Sequence, residues 1–252
     1  MKIAVLASKY ADDFQLKVLK NILSSPHNIA GWIVDDRNAK SLSEKLKYNI
    51  AKGRGGYVLI MALKYFFKKN EGSADLSGIM QSSGAPVYFT KNINSNESID
   101  KIKTLNIDAL VFIGGFGILK SPLLNICTYG VLSYHHGDMR KYRGQPPGFW
   151  ELYNNEKEIG VTIQKLSGGL DCGEPVMEMK IPVNYKDTLH SLQKRIYEKS
   201  TALMLNALDF LETRPVLKKL DEYGKIYTLP NLRQWLFINI KILLRKLSLK
   251  PK

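Results

Sequence analysis

The stretch Ser133-Tyr-His-His-Gly-Asp-Met-Arg-Lys-Tyr-Arg-Gly144 concentrates groups able to move protons and steady charge. It holds two of the four histidines in the chain, three Lys/Arg residues and one Asp. It continues the apolar run that starts at Val131, so Ser133 and His135 fall at a strand end. Side chains alternate along a strand, which puts Ser133 and His135 on one face and Tyr134 on the other. A hydroxyl beside an imidazole suits proton transfer and stabilisation of a developing anion. His135, His136 and Asp138 also invite a metal reading. A closed site needs a further ligand, no spacing in the chain nominates one, and no metal is expected. Cys172 stands beside Asp171, but no base is identifiable for it, and an inert thiol is the better reading.

The elements that must position these residues alternate. Lys2–Ala7, Ile29–Val34, Pro86–Phe89, Asp108–Ile113 and Val131–Tyr134 read as strands. Asp12–Leu23, Ser41–Ala51, Tyr57–Lys69 and Glu97–Leu105 read as helices between them. That order predicts an α/β fold, a mostly parallel sheet with helices on both faces. Beyond residue 145 the pattern changes. Pro146–Tyr153 reads as a short helix. Gly160–Leu166 and Pro175–Ile181 flank the glycine-rich Ser167–Gly173 connection and read as an antiparallel pair, and Thr188–Leu211 reads as one long helix. Ligands in open α/β sheets bind beyond the carboxyl ends of the strands. The loop from Ser133 lies at such an end, and so does Gly114-Gly-Phe-Gly117. The latter lacks the full dinucleotide fingerprint. It reads either as a tight turn or as backbone that a flat ligand can approach. Gly53-Arg-Gly-Gly56 follows a helix and reads as a turn.

Composition bounds the rest. The 252 residues carry a net charge of +14 and 44% apolar residues, a globular balance. Two cysteines make no disulfide framework, which favours a reducing, cytoplasmic compartment. No apolar run reaches the roughly 18 residues of a membrane span, and the first one is too short for a signal-peptide core. The charge is localised. Residues 40–69 and 225–252 each carry a net +7, and the remainder is neutral. Such segments suit a polyanion, or are plain solvated surface. Leu232, Leu236, Ile240, Leu243 and Leu247 recur at helical spacing, with Lys241, Arg245 and Lys246 on the other side. This predicts a basic amphipathic helix over 232–248, lying on an anionic membrane surface or docked on its own domain or a second subunit.

Two motifs together carry a resemblance. Gly130-Val-Leu-Ser-Tyr-His-His-Gly-Asp-Met-Arg-Lys-Tyr-Arg-Gly-Gln-Pro-Pro147 is similar to the active-site segment of folate-dependent formyltransferases, approximately Ile-Asn-x-His-x-Ser-Leu-Leu-Pro-x-Tyr-Arg-Gly. Gly160-Val-Thr-Ile-Gln-Lys-Leu-Ser-Gly-Gly-Leu-Asp-Cys-Gly173 resembles their Gly-Val-Thr…Asp-x-Gly motif at a matching separation. The resemblance spans residues 1–212 and is concentrated in 106–180. It implies a Rossmann-like catalytic domain over 1–212, with 213–252 as a basic C-terminal extension. It implies 10-formyltetrahydrofolate as formyl donor and a primary amine as acceptor. By position, His135 matches the family's catalytic His, Asp171 its Asp, and Ser133 replaces its Asn. The same resemblance assigns Phe116, Gly117, Ile118, Leu119, Leu166, Gly169, Leu170 and Asp171 to the folate, and Tyr134, Arg143 and Gly144 to the acceptor side.

In that chemistry a donor aimed at the developing oxyanion is worth about a hundredfold or more in rate. Ser133 reaches less far than the family's Asn. The alternative is therefore a folate-binding protein with impaired transfer, or a hydrolase that releases formate. About forty residues follow the long helix, too few for the β-barrel that methionyl-tRNA enzymes usually add, which weighs against tRNA. An amino sugar on a nucleotide or lipid carrier is the expected acceptor. A homodimer and a peripheral membrane location complete the expectations.

Overall fold

A computed structural model describes residues 1–38, 41–51 and 72–247. The helix expected at Tyr57–Lys69, the Gly53–Gly56 turn and most of the first basic segment lie outside the described residues.

The chain opens with β1 (Lys2–Ser8), in which Ile3–Ala7 are buried without a break. An uninterrupted apolar strand is what a sheet covered on both faces requires. Ile3, Val5 and Ala7 join one core, and Ala4 and Leu6 the other. After the two-residue β2 (Tyr10–Ala11) comes α1 (Asp13–Leu23), started by a capping box between Asp12 and Gln15. The elements that follow are β3 (Asn28–Asp35), α2 (Leu42–Ala51), β4 (Ala74–Asp75), α3 (Ser77–Ser82), β5 (Val87–Thr90), α4 (Asn96–Thr104), β6 (Ala109–Phe112) and β7 (Val131–His135). The second half contributes β8 (Tyr142–Gly144), α5 (Phe149–Asn154), β9 (Glu158–Lys165), β10 (Glu174–Pro182), α6 (Leu189–Ser200), α7 (Leu203–Glu212), β11 (Lys225–Tyr227) and α8 (Leu232–Leu247).

The main sheet has seven strands in the order β10-β9-β7-β6-β1-β3-β5. β5, β3, β1, β6 and β7 run parallel, and β9 and β10 add antiparallel at the β7 edge. The expected α/β fold with an antiparallel pair is therefore the observed one. The strand order reverses at β1, which has β3 on one side and β6 on the other. That switch point opens a crevice beyond the ends of β1 and β6. Gln15 secures it: the amide donates to the Ile113 carbonyl at 3.0 Å while its oxygen serves the α1 cap.

The single helix expected over Thr188–Leu211 is two helices, α6 and α7. The Tyr134 phenol causes the break. Its hydroxyl donates to Ser200 O at 2.8 Å and accepts from Met204 N at 3.1 Å. Those two groups would otherwise bond to each other as residues i and i+4 of one helix, and an inserted group of this kind kinks the ladder.

The residues after α7 return over the loop that follows β7. β11 pairs in parallel with β8, setting Tyr227 against Gly144. Gly224 N donates to Met139 O, and Gln145 N donates to Tyr227 O. The predicted helix at 232–248 is present as α8, and its last predicted residue lies outside the described set.

Candidate active site

Ser133 and His135 share a face of β7, as strand alternation predicts. Opposite them on β9 stand Gln164 and Thr162. His135 is buried, 6% exposed. Its Nε2 donates to the Tyr142 carbonyl at 2.8 Å, and its Nδ1 faces Asp171 Oδ2 at 3.4 Å. Both ring nitrogens thus face acceptors, an arrangement that favours the doubly protonated ring. Burial opposes that charge, but the hydrogen bond and charge of Asp171, with the Tyr142 carbonyl, outweigh it and raise the His135 pKa. Gly137 permits the close backbone approach. A Cβ there would lie 2.7 Å from His135 Nε2.

Asp171 sits in the β9–β10 connection with a left-handed backbone, φ +46°. Its Oδ2 accepts from Gly144 N at 2.9 Å and its Oδ1 from Gln164 Nε2 at 3.2 Å. Burial pushes its pKa upward, but His135, the Gly144 amide and the Gln164 amide together hold it below the usual carboxylate range. Gln164 is fixed in turn, since its oxygen accepts from Gly173 N at 3.0 Å. The residues assigned from two distant motifs therefore meet as one imidazole–carboxylate pair, with the carboxylate also held by Gly144 and Gln164.

Ser133 makes one long contact, 3.4 Å from its Oγ to Tyr134 O. Glu151, on α5, is buried beside this group at 3% exposure. Burial raises its pKa to about 7, against the weaker opposing influence of nearby groups that include His135. Sequence reasoning missed Glu151 and Gln164. One reads as the polar face of a helix and the other as an ordinary strand position.

The remaining assigned residues divide. Ile118, Leu119, Leu166 and Gly169 line one cavity of about 610 Å³, together with Lys120, Lys165, Lys219 and Glu174. Phe116 is buried in the second core instead, and Leu170 is exposed. A Cβ on Gly117 would approach Arg37, which pairs with Asp35 and bonds Gly115 O. Gly144 adopts φ +94°, and a Cβ on it would fall 2.1 Å from Tyr227 O, so both conformation and space demand glycine. Arg143 binds Gly224 O and Leu170 O and stacks over Tyr223, tying the returning strand to the Asp171 loop. Tyr134 lies on the opposite face of β7 from His135, with its hydroxyl between α6 and α7. His136 stacks on Tyr134 and meets Phe14 and Tyr197 edge-on. Burial, then His135, pushes its pKa down to about 3, so it is neutral. Among the described residues, the one metal-like grouping is His27, Asp209 and Glu212, away from this site and engaged with the Met1 ammonium.

The profile of the formyl transferase family matches residues 1–208. The chain belongs to the formyl transferase family. Methionyl-tRNA formyltransferase of Citrifermentans bemidjiense is 32% identical over 133 residues, 53% of this chain and 42% of the relative. The chain spans about half the length of the curated relatives it matches. Glycinamide ribonucleotide transformylase 1 from Symbiobacterium toebii has the same fold, with a TM-score of 0.60 at 17% identity over 88% of this chain and 94% of that one. So does an N-formyltransferase from Helicobacter canadensis, solved with folinic acid and dTDP-3-aminofucose, with a TM-score of 0.57 at 15% identity over 90% and 71% of the two chains.

Proposed function

We propose that this chain transfers the formyl group of 10-formyltetrahydrofolate to a primary amine, and that the amine is carried by an amino sugar on a nucleotide or lipid carrier. The observation that carries the reading is the buried His135–Asp171 pair, set by the same loop that walls the 610 Å³ cavity. That volume lies within the range of small-molecule sites. Its lining fits a folate by composition. Leu119 and Leu166 offer apolar surface to a flat ring, and the glycine-rich loop offers backbone donors and acceptors to its edges. Lys120, Lys165 and Lys219 offer cations to a glutamyl tail.

The folate supplies an activated formyl group. The protein's part is electrostatic and acid–base. The acceptor amine must be neutral to attack, and the ionised Asp171 is the group able to take its proton as the new C–N bond forms and to return it to the folate nitrogen as the formyl–folate C–N bond breaks. His135, when its ring is doubly protonated, would set positive charge beside the developing oxyanion. Its Nε2 proton is committed to Tyr142, so Nδ1, only 3.4 Å from Asp171, is the nitrogen that can turn a proton toward a ligand. Catalytic contacts of this kind are often long before substrate binds. Ser133 Oγ, nearly unengaged, is placed to donate directly or through a water. Arg143 and Gly144 act by holding the Asp171 loop.

The amino-sugar reading draws on the fold shared with the dTDP-3-aminofucose enzyme and on the basic charge of the chain. A second reading, methionyl-tRNA as acceptor, draws on sequence similarity to methionyl-tRNA formyltransferases. A third, folate binding with impaired transfer, draws on Ser133. Calorimetric titration with a non-hydrolysable 10-formyltetrahydrofolate analogue, followed by turnover with dTDP-linked amino sugars and with methionyl-tRNA, separates them. One-to-one binding with N-formyl sugar formed supports the proposal. Formyl-methionyl-tRNA alone, binding without turnover, or no binding would each refute it in favour of another reading.

A further inference from the structure

The apolar stripe that the sequence places on one face of α8 is not the face that docks. α8 is held to its domain by Trp235, stacked on Phe149 at 5.8 Å, and by Ile238 and Ile242, 2% and 7% exposed. Lys241 Nζ donates to Tyr153 O at 2.7 Å, and Arg245 reaches Asn155 and lies over the Tyr185 ring. At about 100° per residue these groups share one side of the helix. Leu236, Ile240, Leu243, Leu244 and Leu247 fall within an arc of about 100° on the opposite side. They are 52%, 58%, 56%, 62% and 69% exposed. One helix is thus apolar on two faces, and only one is covered.

A second copy is a poor occupant for the open face. The stripe runs along the 12 residues from Leu236 to Leu247, roughly 17 Å by 10 Å, far below the about 800 Å² per partner of a stable dimer. Pairing two stripes would also bring together two segments that each carry a net +7 and contain no acidic residue. An anionic bilayer meets both demands. It accepts a long, narrow apolar strip, and it neutralises the exposed Arg233 and Lys246. No described helix is long and apolar enough to cross a membrane, so α8 lies along the surface.

We infer that α8 is a peripheral anchor that lays its Leu236–Ile240–Leu243–Leu247 stripe into an anionic lipid surface. Docking through the opposite face holds the helix as a rigid ridge, so the apolar residues are presented without a folding step. The inference does not rest on formyl transfer, and its test reads binding without turnover.

The full chain is sedimented with vesicles of phosphatidylcholine mixed with phosphatidylglycerol, and with vesicles of phosphatidylcholine alone. The wild type binds the mixed vesicles, more weakly as salt rises. Ile240→Ser with Leu243→Ser removes two side chains each worth about 1.5 kcal/mol on burial, so binding weakens about a hundredfold. Arg233→Gln with Lys246→Gln weakens binding to mixed vesicles about thirtyfold and leaves binding to neutral ones unchanged. Since all four side chains are exposed, both variants keep the wild-type urea curve, which separates lost binding from lost folding. Three results would overturn the inference: no sedimentation of the wild type, equal binding by the serine variant, or a dimer in analytical ultracentrifugation that the serine variant abolishes while vesicles bind nothing.

Discussion

Replacing Asp171 by Asn keeps the shape of the side chain and removes the charge that the site is built around. The carboxylate accepts from Gly144 N and Gln164 Nε2 on separate oxygens and faces His135 Nδ1 with the first of these. An amide cannot reproduce this. Whichever way the introduced amide is turned, its NH2 meets a donor, either at Gly144 and His135 or at Gln164. The loss is one charge-assisted hydrogen bond, about 1.5–3 kcal/mol, plus the partial isolation of a buried imidazolium. The Asp171 side chain is 19% exposed, so water recovers part of this, and about 3 kcal/mol is the expected destabilisation. The sign with pH follows from the two shifts. The lowered Asp171 pKa contributes stability above the ordinary value of 3.8 and loses it as pH falls through the folded value. The raised His135 pKa contributes stability below the ordinary value of 6.5 and loses it as pH rises through the folded value. The difference between wild type and D171N is therefore greatest between those two ordinary values and shrinks on either side. Urea denaturation across that range measures it, and NMR titration of the His135 ring reports the cause. In D171N burial is no longer outweighed by a carboxylate, so His135 titrates lower. An unchanged His135 titration, or a stability difference independent of pH, would refute the reasoning.

Other substitutions test separate parts of the site. Ser133→Ala should lower kcat about tenfold, the worth of one hydrogen bond, with KM for the folate unchanged. Glu151→Gln should be more stable than the wild type at pH 8 and equal to it at pH 4. The wild-type carboxyl, raised to about 7 from 4.5, costs stability progressively as pH rises between those values. Urea curves at the two pH values should differ by up to about 3 kcal/mol. Gly144→Ala should destabilise by about 3 kcal/mol or more, because a Cβ cannot coexist with Tyr227 O. The same variant should lose formyl transfer, because the Asp171 loop loses its anchor. Tyr134→Phe should cost about 1–2 kcal/mol by urea denaturation, since two backbone groups at the α6–α7 break lose their partner, and leave kcat within twofold by steady-state assay.

The pairing of His135 with Asp171 was legible because two motifs carried it, and the parallel sheet because its buried strands are continuously apolar. Other features left no local signature. A glutamine at position 164 breaks no strand pattern, yet its amide fixes Asp171 from across the sheet. Glu151 occupies a helix position where a carboxylate is ordinarily solvated, and only the packing of α5 buries it. The β8–β11 strap uses strands of three residues, too short for periodicity to register. The apolar spacing continues unbroken through Thr201, so no sequence rule reveals that Tyr134, seventy positions earlier, enters the helix there. Position in the motif groups Tyr134 with the acceptor residues. Strand parity sends it the other way, and the structure follows parity. On α8 the regular leucine spacing identified the apolar face correctly, and the docking came from Trp235, Ile238 and Ile242 on the other side.

The most direct test of the central claim is a single-turnover measurement. Enzyme in excess is mixed with 10-formyltetrahydrofolate and a dTDP-linked 3-amino sugar, and the N-formyl product is followed by mass spectrometry for the wild type and for His135→Ala. Product from the wild type, slowed about a hundredfold or more in the variant while the folate analogue still binds, is the predicted result. Equal rates for the two proteins would contradict it and remove His135 from the chemistry.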